Sequence, residues 1–137
     1  MHPVFYSDGN AKKISVVIET MDSKIIQNRD HVEIYKDKIT NLQSKYIALH
    51  VGLFGGIGVF IIKKNEYTIK IKFDEKIMYD QITSNSKIKD ELIEKRIQFI
   101  RQLIEQRKLK TEFEIIDIDK NLARKNIKAK EIKTKNG

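Results

Sequence analysis

Apolar residues in the first third of the chain fall in short runs, which is typical of β-strands. Turn-prone polar residues separate these runs, so consecutive strands are joined by brief connections. This arrangement predicts an antiparallel meander. The predicted strands are Val4–Tyr6, Ile14–Ile18 and Val32–Tyr35.

A helix is predicted from Thr40 onward, because threonine is a common N-cap and apolar residues follow it at three- and four-residue spacings. These residues are Leu42, Tyr46, Leu49 and Leu53. The stretch from Tyr46 to Ile62 is the most membrane-like of the chain, but it is shorter than the ~20 residues of a membrane span and contains four glycines. We therefore expect no membrane span here, but a buried helix followed by a buried strand.

The second half of the chain predicts alternating strands and helices. Thr68–Phe73 alternates apolar and basic residues, as a strand does when one face is buried and the other is exposed. The pattern then predicts a short helix through Met78, a long amphipathic helix from about Ser86 to Lys108, a strand at Glu112–Ile118 and a basic helix after Asn121. Because strand-helix-strand units enforce parallel pairing, the predicted class is α/β: a mixed five-stranded sheet, antiparallel over its first three strands and then parallel, flanked by helices.

At 137 residues, the chain has room for one domain with one hydrophobic core. We expect residues 1–130 to form this domain and residues 131–137 to form a basic C-terminal tail. The chain contains no cysteine, which excludes disulfides, thiolate metal sites and cysteine nucleophiles. It also begins without the basic and apolar segments of a secretory signal, so we expect a cytoplasmic protein.

Lysine and arginine outnumber aspartate and glutamate by 27 to 19, which gives a formal charge of +8. Such an excess attracts polyanions, so nucleic acid is the first partner to expect. The candidate surface is Lys70, Lys72 and Lys76, of which the first two point to the same non-core side of one strand. Two alternatives remain open: a solvated sheet edge at these lysines, and a charge that only keeps a lysine- and isoleucine-rich protein soluble.

The three histidines, His2, His31 and His50, have no metal-ligand spacing. His50 lies on the side of the helix that is predicted to be buried, so we expect a hydrogen-bonded core residue there and not a catalytic base. The glycines at positions 55–58 lack the Lys-Ser/Thr pair of a phosphate-binding loop, and we predict a turn.

Three segments carry a more specific pattern. Phe5–Gly9 ends in Tyr-Ser-Asp-Gly, residues 40–53 follow Thr-Asn-x-x-x-Lys-Tyr-x-Ala-Leu-x-x-Gly-Leu, and Ile71–Ile82 follows Ile-x-x-Asp-Glu-x-x-Met-x-x-Gln-Ile. They resemble segments of the ribonuclease H family that follow Tyr-Thr-Asp-Gly, Thr-Asn-Asn-x-x-Glu-Tyr-x-Ala-Leu-x-x-Gly-Leu and Val-x-x-Asp-Ser-x-x-Val-x-x-Gln-Ile. The resemblance covers about residues 3–130 and implies that the predicted mixed sheet is ribonuclease H-like.

The resemblance also implies a two-metal hydrolysis of phosphodiesters, in which about four carboxylates hold paired divalent cations. Asp8 and Asp74 match two of those carboxylates, at the ends of strands that are neighbours in the family's sheet. Lys45 stands at the position of the catalytic glutamate, immediately before the tyrosine of the helix. Lys125 stands at the position of the last carboxylate, or Arg124 if the alignment slips by one residue.

An ammonium that lies a few Å from a divalent cation is strongly repelled, so we expect metal binding to be severely weakened and no cofactor to be bound. Asp8 and Asp74 would instead form a neutral cluster with Lys45 and Lys125. The predicted function is therefore a ribonuclease H-like domain that has lost metal-dependent cleavage and binds an RNA/DNA hybrid, a nucleic-acid duplex or a protein partner.

Two alternatives stay open. An active Mg²⁺- or Mn²⁺-dependent endonuclease would use Asp8 and Asp74 as metal ligands, with a substitute ligand from Glu75, Asp117 or Asp119. A structural or interaction protein that ignores nucleic acid would show no salt-dependent binding to any polynucleotide.

Overall fold

The computed structural model describes residues 3–20, 23–56, 68–84 and 87–128, which form a mixed five-stranded sheet with helices. The strands are β1 (Val4–Gly9), β2 (Lys13–Glu19), β3 (Lys24–Asp30), β4 (Thr68–Phe73) and β5 (Lys110–Ile115). The helices are α1 (Asn41–Gly56), α2 (Lys76–Thr83) and α3 (Glu91–Gln106). Residues 122–128 form a further helix, α4.

The strand order in the sheet is β3-β2-β1-β4-β5. β2 pairs antiparallel with both β1 and β3, whereas β4 pairs parallel with both β1 and β5. These pairings confirm the predicted α/β class and the change from antiparallel to parallel strands. Because β1 and β4 are parallel neighbours, their carboxyl ends meet at the same edge of the sheet.

One face of the sheet, called here the first face, carries the larger apolar core. Alternate residues of each strand, such as Phe5 in β1 and Ile71 in β4, contribute to this core. The predicted apolar stripe of α1 packs against them, and Tyr46, Leu49 and Leu53 are fully buried. Burial of a large apolar side chain contributes about 1.5–3 kcal/mol, so α1 is anchored along most of its length.

The opposite face, called here the second face, is also covered beside β2, where Val17 is fully buried. Ala123 and Ile127 of α4 are buried as well, and they belong to neither of the two apolar clusters that include α1. At the start of α4, Asn121 Nδ2 donates a hydrogen bond to the carbonyl oxygen of Ser7 at 3.1 Å. This bond fastens the C-terminal segment to β1, near the edge where β1 and β4 end.

The N-terminal ends of α1 and α3 are tied together by one glutamine. The backbone N–H of Thr40 donates to Gln43 Oε1 at 2.9 Å, and the backbone N–H of Gln43 donates to Thr40 Oγ1 at 3.0 Å. Gln43 Nε2 also donates to the carboxylate of Asp90, which caps α3 by accepting from the N–H of Ile93. The predicted N-cap at Thr40 is thereby confirmed.

The prediction of a third strand at Val32–Tyr35 is wrong. β3 lies earlier, at Lys24–Asp30, and residues 33–38 form turns. Val32 and Ile34, which suggested the strand, are 60% and 71% exposed. Since β3 is an edge strand with mostly exposed side chains, its sequence lacks the apolar alternation of a half-buried strand. Backbone pairing with β2 sets its position instead.

Other boundaries differ from the prediction by a few residues. β5 ends at Ile115, three residues before the predicted end, because the chain turns into a short 3-10 helix at Ile118–Lys120. α3 begins at Glu91, where the Asp90 side chain caps it. The sequence places this start near Ser86, which lies outside the described residues.

Several predicted features lie outside the described residues altogether: His2, the buried strand that reaches Ile62, and the basic tail 131–137. The short helix through Met78 corresponds to α2, and the basic helix after Asn121 corresponds to α4. Of the helices that the structure describes, none is both long enough and apolar enough to cross a membrane.

Candidate functional site

Asp8 and Asp74 lie close together at the edge where β1 and β4 end. Asp8 is the second-last residue of β1, and Asp74 directly follows β4. Because the two strands are parallel neighbours, both side chains reach the same place. The side chains are only 8% and 3% exposed. Two carboxylates that are held together away from water are stabilised by a nearby cation or by protonation of one of them.

That cation is the ammonium of Lys45, on the second turn of α1. Its Nζ lies 3.8 Å from Asp8 Oδ1, 3.6 Å from Asp74 Oδ1 and 3.0 Å from Glu75 Oε2. Only the contact with Glu75 has the distance of a hydrogen bond. The Lys45 side chain is 11% exposed, so little solvent screens these attractions. Three carboxylates therefore surround one ammonium.

A second cation approaches Asp74 from α4. Arg124 Nη1 lies 3.8 Å from Asp74 Oδ1, and Asn121 Nδ2 donates to Asp74 Oδ2 at 2.9 Å. Lys125 is exposed and forms no ion pair with another described residue. One residue along a helix turns a side chain by about 100°, which explains why Arg124 faces the aspartates and Lys125 does not.

Asp8, Asp74, Glu75, Lys45 and Arg124 form what we call the ion cluster. Its three carboxylates and two cations have a formal charge of −1 when all are ionised. Burial raises the pKa of Asp8 above its ordinary value, the nearby Lys45 acts in the opposite direction, and the negative charge of Asp74 adds to the rise. Asp8 therefore takes up a proton at a higher pH than a free aspartate, and this proton makes the cluster neutral.

The position of Lys45 depends on the close approach of α1 to β1. A Cβ atom on Gly9 would lie 2.3 Å from Ser44 Oγ and 2.8 Å from the Ser44 carbonyl oxygen, so only glycine allows this approach. Ser44 Oγ also lies 2.7 Å from His31 Nε2, which is 3.0 Å from the carbonyl oxygen of Asn10. The beginning of α1 is thereby fixed to the β1–β2 turn, one residue before Lys45.

Neither of the described histidines belongs to the ion cluster. His50 is half-buried: its Nδ1 lies 2.8 Å from Arg96 Nη1, and its ring stacks on Phe99 with 5.5 Å between centroids. His31 is the more buried of the two. Burial lowers the pKa of both histidines, and the charge of Arg96 lowers both further, so the neutral form is favoured at each.

The other acidic residues that the sequence offers as substitute metal ligands are distributed differently. Glu75 contacts Lys45, whereas Asp117 lines a separate cleft and Asp119 is exposed.

Sequence reasoning does not single out Asn121, which is fully buried and bonds both β1 and Asp74. The available signal is an asparagine placed just before a helix, where its side-chain oxygen accepts a backbone N–H.

The sequence matches no family model and no curated protein. Solved structures are similar over most of the chain. LC11-RNase H1, isolated from compost, has a TM-score of 0.76 at 18% identity, over 92% of this chain and 91% of its own. The crystal structure of LC11-RNase H1 in complex with an RNA/DNA hybrid gives 0.74 at 20% identity, over 88% of both chains. RNase H1 from the halophilic archaeon Halobacterium salinarum gives 0.63 at 15% identity, over 89% of both.

The chain has the ribonuclease H fold. At this level of identity the similarity establishes the architecture, while activity depends on the residues that this chain places on it. The ribonuclease H pattern has a glutamate at position 45 and a serine at position 75, whereas this chain has Lys45 and Glu75, which are hydrogen-bonded at 3.0 Å. Compared with that pattern, this chain has a cation at the helix position and a carboxylate at the position after Asp74.

The donor set does not fit the paired divalent cations of the ribonuclease H pattern. Such cations need several anionic oxygens around an open centre. In the ion cluster, Lys45 Nζ lies at that centre and the Arg124 guanidinium lies against Asp74. Over the part of the chain that the structure describes, no group of three or more histidines and carboxylates is arranged to hold a metal ion.

The lysines that the sequence singles out for nucleic acid lie on two elements of the ribonuclease H fold. Lys70 and Lys72 alternate with core residues of β4 and point to the second face, where Lys72 Nζ is 3.9 Å from Glu114 Oε2. Lys76 is on the first turn of α2, where it pairs with Asp80. All three lysines are at least partly exposed, so each can contact a large ligand.

Proposed function

We propose that this ribonuclease H-like domain binds nucleic acid, as an RNA/DNA hybrid or a duplex, and does not cleave it through divalent cations. The observation that carries the proposal is the ammonium of Lys45, which lies within 3.8 Å of Asp8, Asp74 and Glu75. A side chain supplies positive charge to these carboxylates, so they need no metal ion.

A divalent cation would have to displace this ammonium. At about 4 Å and an effective dielectric near 20, a unit charge repels a doubly charged ion by about 8 kcal/mol, twice the value for two unit charges. The hydrogen bond from Lys45 to Glu75 opposes displacement as well. Two-metal hydrolysis also needs open coordination positions for water and phosphate, and an ammonium cannot provide them.

Two observations support nucleic-acid binding. The chain carries a formal charge of +8, which attracts polyanions, and the structurally similar LC11-RNase H1 forms a complex with an RNA/DNA hybrid. The ion cluster has one carboxylate in excess, so phosphate contacts are favoured at lysines outside it. We assign these contacts to Lys70, Lys72 and Lys76.

Titration calorimetry with Mn²⁺, beside a cleavage assay on a labelled RNA/DNA hybrid in the same buffer, tests the loss of metal chemistry. We expect no Mn²⁺ binding in the micromolar range and no cleavage, because Lys45 occupies the centre of the carboxylates. An active ribonuclease H1 is the positive control. Micromolar Mn²⁺ binding with cleavage that Asp74→Asn abolishes would overturn the proposal and identify a metal-dependent nuclease.

The salt dependence of hybrid binding, measured by fluorescence anisotropy, tests the proposed surface. The logarithm of the association constant should fall linearly with the logarithm of the salt concentration, with a slope of about −0.9 for each phosphate contact on a DNA duplex. A triple alanine variant of Lys70, Lys72 and Lys76 should bind more weakly and give a shallower slope. The matched control removes equal charge near the start of α3, at Lys87, Lys89 and Lys95.

The two triple variants separate a defined surface from bulk charge. The assigned contacts are supported if the variant of Lys70, Lys72 and Lys76 loses more affinity for the hybrid than the control variant of Lys87, Lys89 and Lys95. Equal losses would overturn the assignment, because net charge alone would then govern binding. If the hybrid does not bind at any salt concentration, the chain is instead a structural or interaction protein that does not bind nucleic acid.

A further inference from the structure

A cleft of about 380 Å³ opens on the second face of the sheet, beside the ion cluster. Its floor is formed by Tyr6, Lys72 and Glu114, which are direct neighbours on β1, β4 and β5. Its wall is formed by Ile115 at the end of β5 and by the segment that follows, through Ile116, Asp117 and Lys120. We call it the second-face cleft. Side chains from three adjacent strands and one following segment thus converge on one concave surface.

The charged groups of the cleft are available to a ligand. Lys72 is 24% exposed, and its ion pair with Glu114, which is 51% exposed, is long at 3.9 Å. Exposed pairs of this kind contribute little, so the Lys72 ammonium can exchange Glu114 for a stronger anion. Lys120 is exposed and forms no ion pair with another described residue. Two ammonium groups can therefore reach an anion in the cleft.

The remaining lining is suited to a planar, hydrogen-bonding group. Tyr6 is half-buried, and its ring can stack on a base, while Ile115 and Ile116 offer apolar contact. The carboxylates of Glu114 and Asp117 can accept hydrogen bonds from amino or hydroxyl groups. An anion, a planar ring and several donors occur together in a nucleotide. A purely apolar ligand would leave these charges desolvated and unpaired.

The size and position of the cleft limit the ligand further. Its volume lies at the lower end of the range of about 300–1,000 Å³ for ligand pockets, which suits one nucleotide and not several. Tyr6 and Lys72 precede Asp8 and Asp74 by two residues each, which corresponds to about 7 Å along an extended chain.

We propose that the second-face cleft binds a single nucleotide, either free or at the end of a strand. A strand end in the cleft would run past the ion cluster with its phosphates directed to Lys72 and Lys120. The strand-end form rests on the proposed nucleic-acid binding, whereas the free form does not.

Nuclear magnetic resonance titration with adenosine 5′-monophosphate tests the cleft. We expect chemical-shift changes at Tyr6 and over residues 115–120, and a loss of affinity of about tenfold or more in Tyr6→Ala, from the lost stacking. Lys120→Ala should also weaken binding; since this side chain is exposed, the fold should not change. Tyr6→Phe should retain binding. Lys110→Ala, at the opposite end of β5, is the matched control.

Absence of shifts at the cleft, or equal affinity in the native protein, Tyr6→Ala and Lys120→Ala, would overturn the inference. A second arm compares a hybrid with free ends and a duplex closed by loops at both ends. Displacement of adenosine 5′-monophosphate by the open hybrid alone supports the strand-end form, and displacement by neither supports the free form. A further result would separate the two proposals. If no mononucleotide binds, and if hybrid binding is salt-dependent and unchanged in Tyr6→Ala and Lys120→Ala, the proposed nucleotide site is wrong while the proposed nucleic-acid binding stands.

Discussion

Replacing Lys45 by alanine is expected to lower the free energy of unfolding by about 3 kcal/mol at neutral pH. The variant leaves Asp8, Asp74 and Glu75 without the ammonium that lies within 3.8 Å of each. Removing one partner of a buried ion pair costs about 3–5 kcal/mol, because the remaining charge stays uncompensated. We expect the lower end, since Arg124 still lies 3.8 Å from Asp74. Urea denaturation measures the difference.

The loss should depend on pH in a defined direction. Burial already raises the pKa of Asp8, and Lys45 opposes that rise, so the variant should raise the pKa further. Folded Asp8 then binds more protons than unfolded Asp8 between its ordinary and its raised pKa. Stability therefore falls as pH rises through this window. The destabilisation by Lys45→Ala should be smallest in mild acid, where Asp8 is protonated, and largest at neutral pH.

Glu75→Gln is the matched control for this measurement. The Glu75 side chain is 32% exposed, so its removal from the ion cluster should cost much less than removal of Lys45. A loss in Lys45→Ala below about 1 kcal/mol, or one that does not change with pH, would show that the carboxylates do not depend on the ammonium.

Much of the ion cluster can be predicted from the sequence, because the order and pairing of the strands that carry it can be predicted. Once β1 and β4 are placed as parallel neighbours, Asp8 and Asp74 must meet at one edge. The spacing of the α1 stripe places Tyr46 in the core, and Lys45 therefore lies at the side of the helix, next to that edge. The periods of strand and helix predict these elements, whereas the pairing of β1 with β4 and the place of Lys45 in the site are what the resemblance to the ribonuclease H family implies.

The remaining features depend on tertiary contacts that no local period encodes. The edge strand β3 has almost no buried side chain, so its sequence carries no alternation to detect. The choice between Arg124 and Lys125 depends on the rotational phase of α4, which Asn121 sets through its bonds to Ser7 and Asp74. The pairing of Glu75 with Lys45 joins residues that are 30 positions apart.

The double variant Lys45→Glu, Arg124→Ala is expected to bind Mn²⁺ at least tenfold more tightly than the native protein, a difference of about 1.4 kcal/mol. It replaces the central ammonium by a carboxylate and removes the guanidinium from Asp74. Asp8, Asp74 and Glu75 already converge on the position of the Lys45 ammonium. The new carboxylate would add a fourth anionic oxygen donor, which suits a hard divalent cation.

Without metal, the double variant should be less stable than the native protein, because its carboxylates repel one another. Mn²⁺ should therefore raise its unfolding temperature, since a ligand at 100 times its Kd stabilises the folded state by about 2.7 kcal/mol. The control Lys45→Gln, Arg124→Ala removes the same cations without supplying a carboxylate, and it should respond to Mn²⁺ less. If Mn²⁺ raises the unfolding temperature of both variants equally, or of neither, then Lys45 is not the residue that prevents these carboxylates from binding a metal ion.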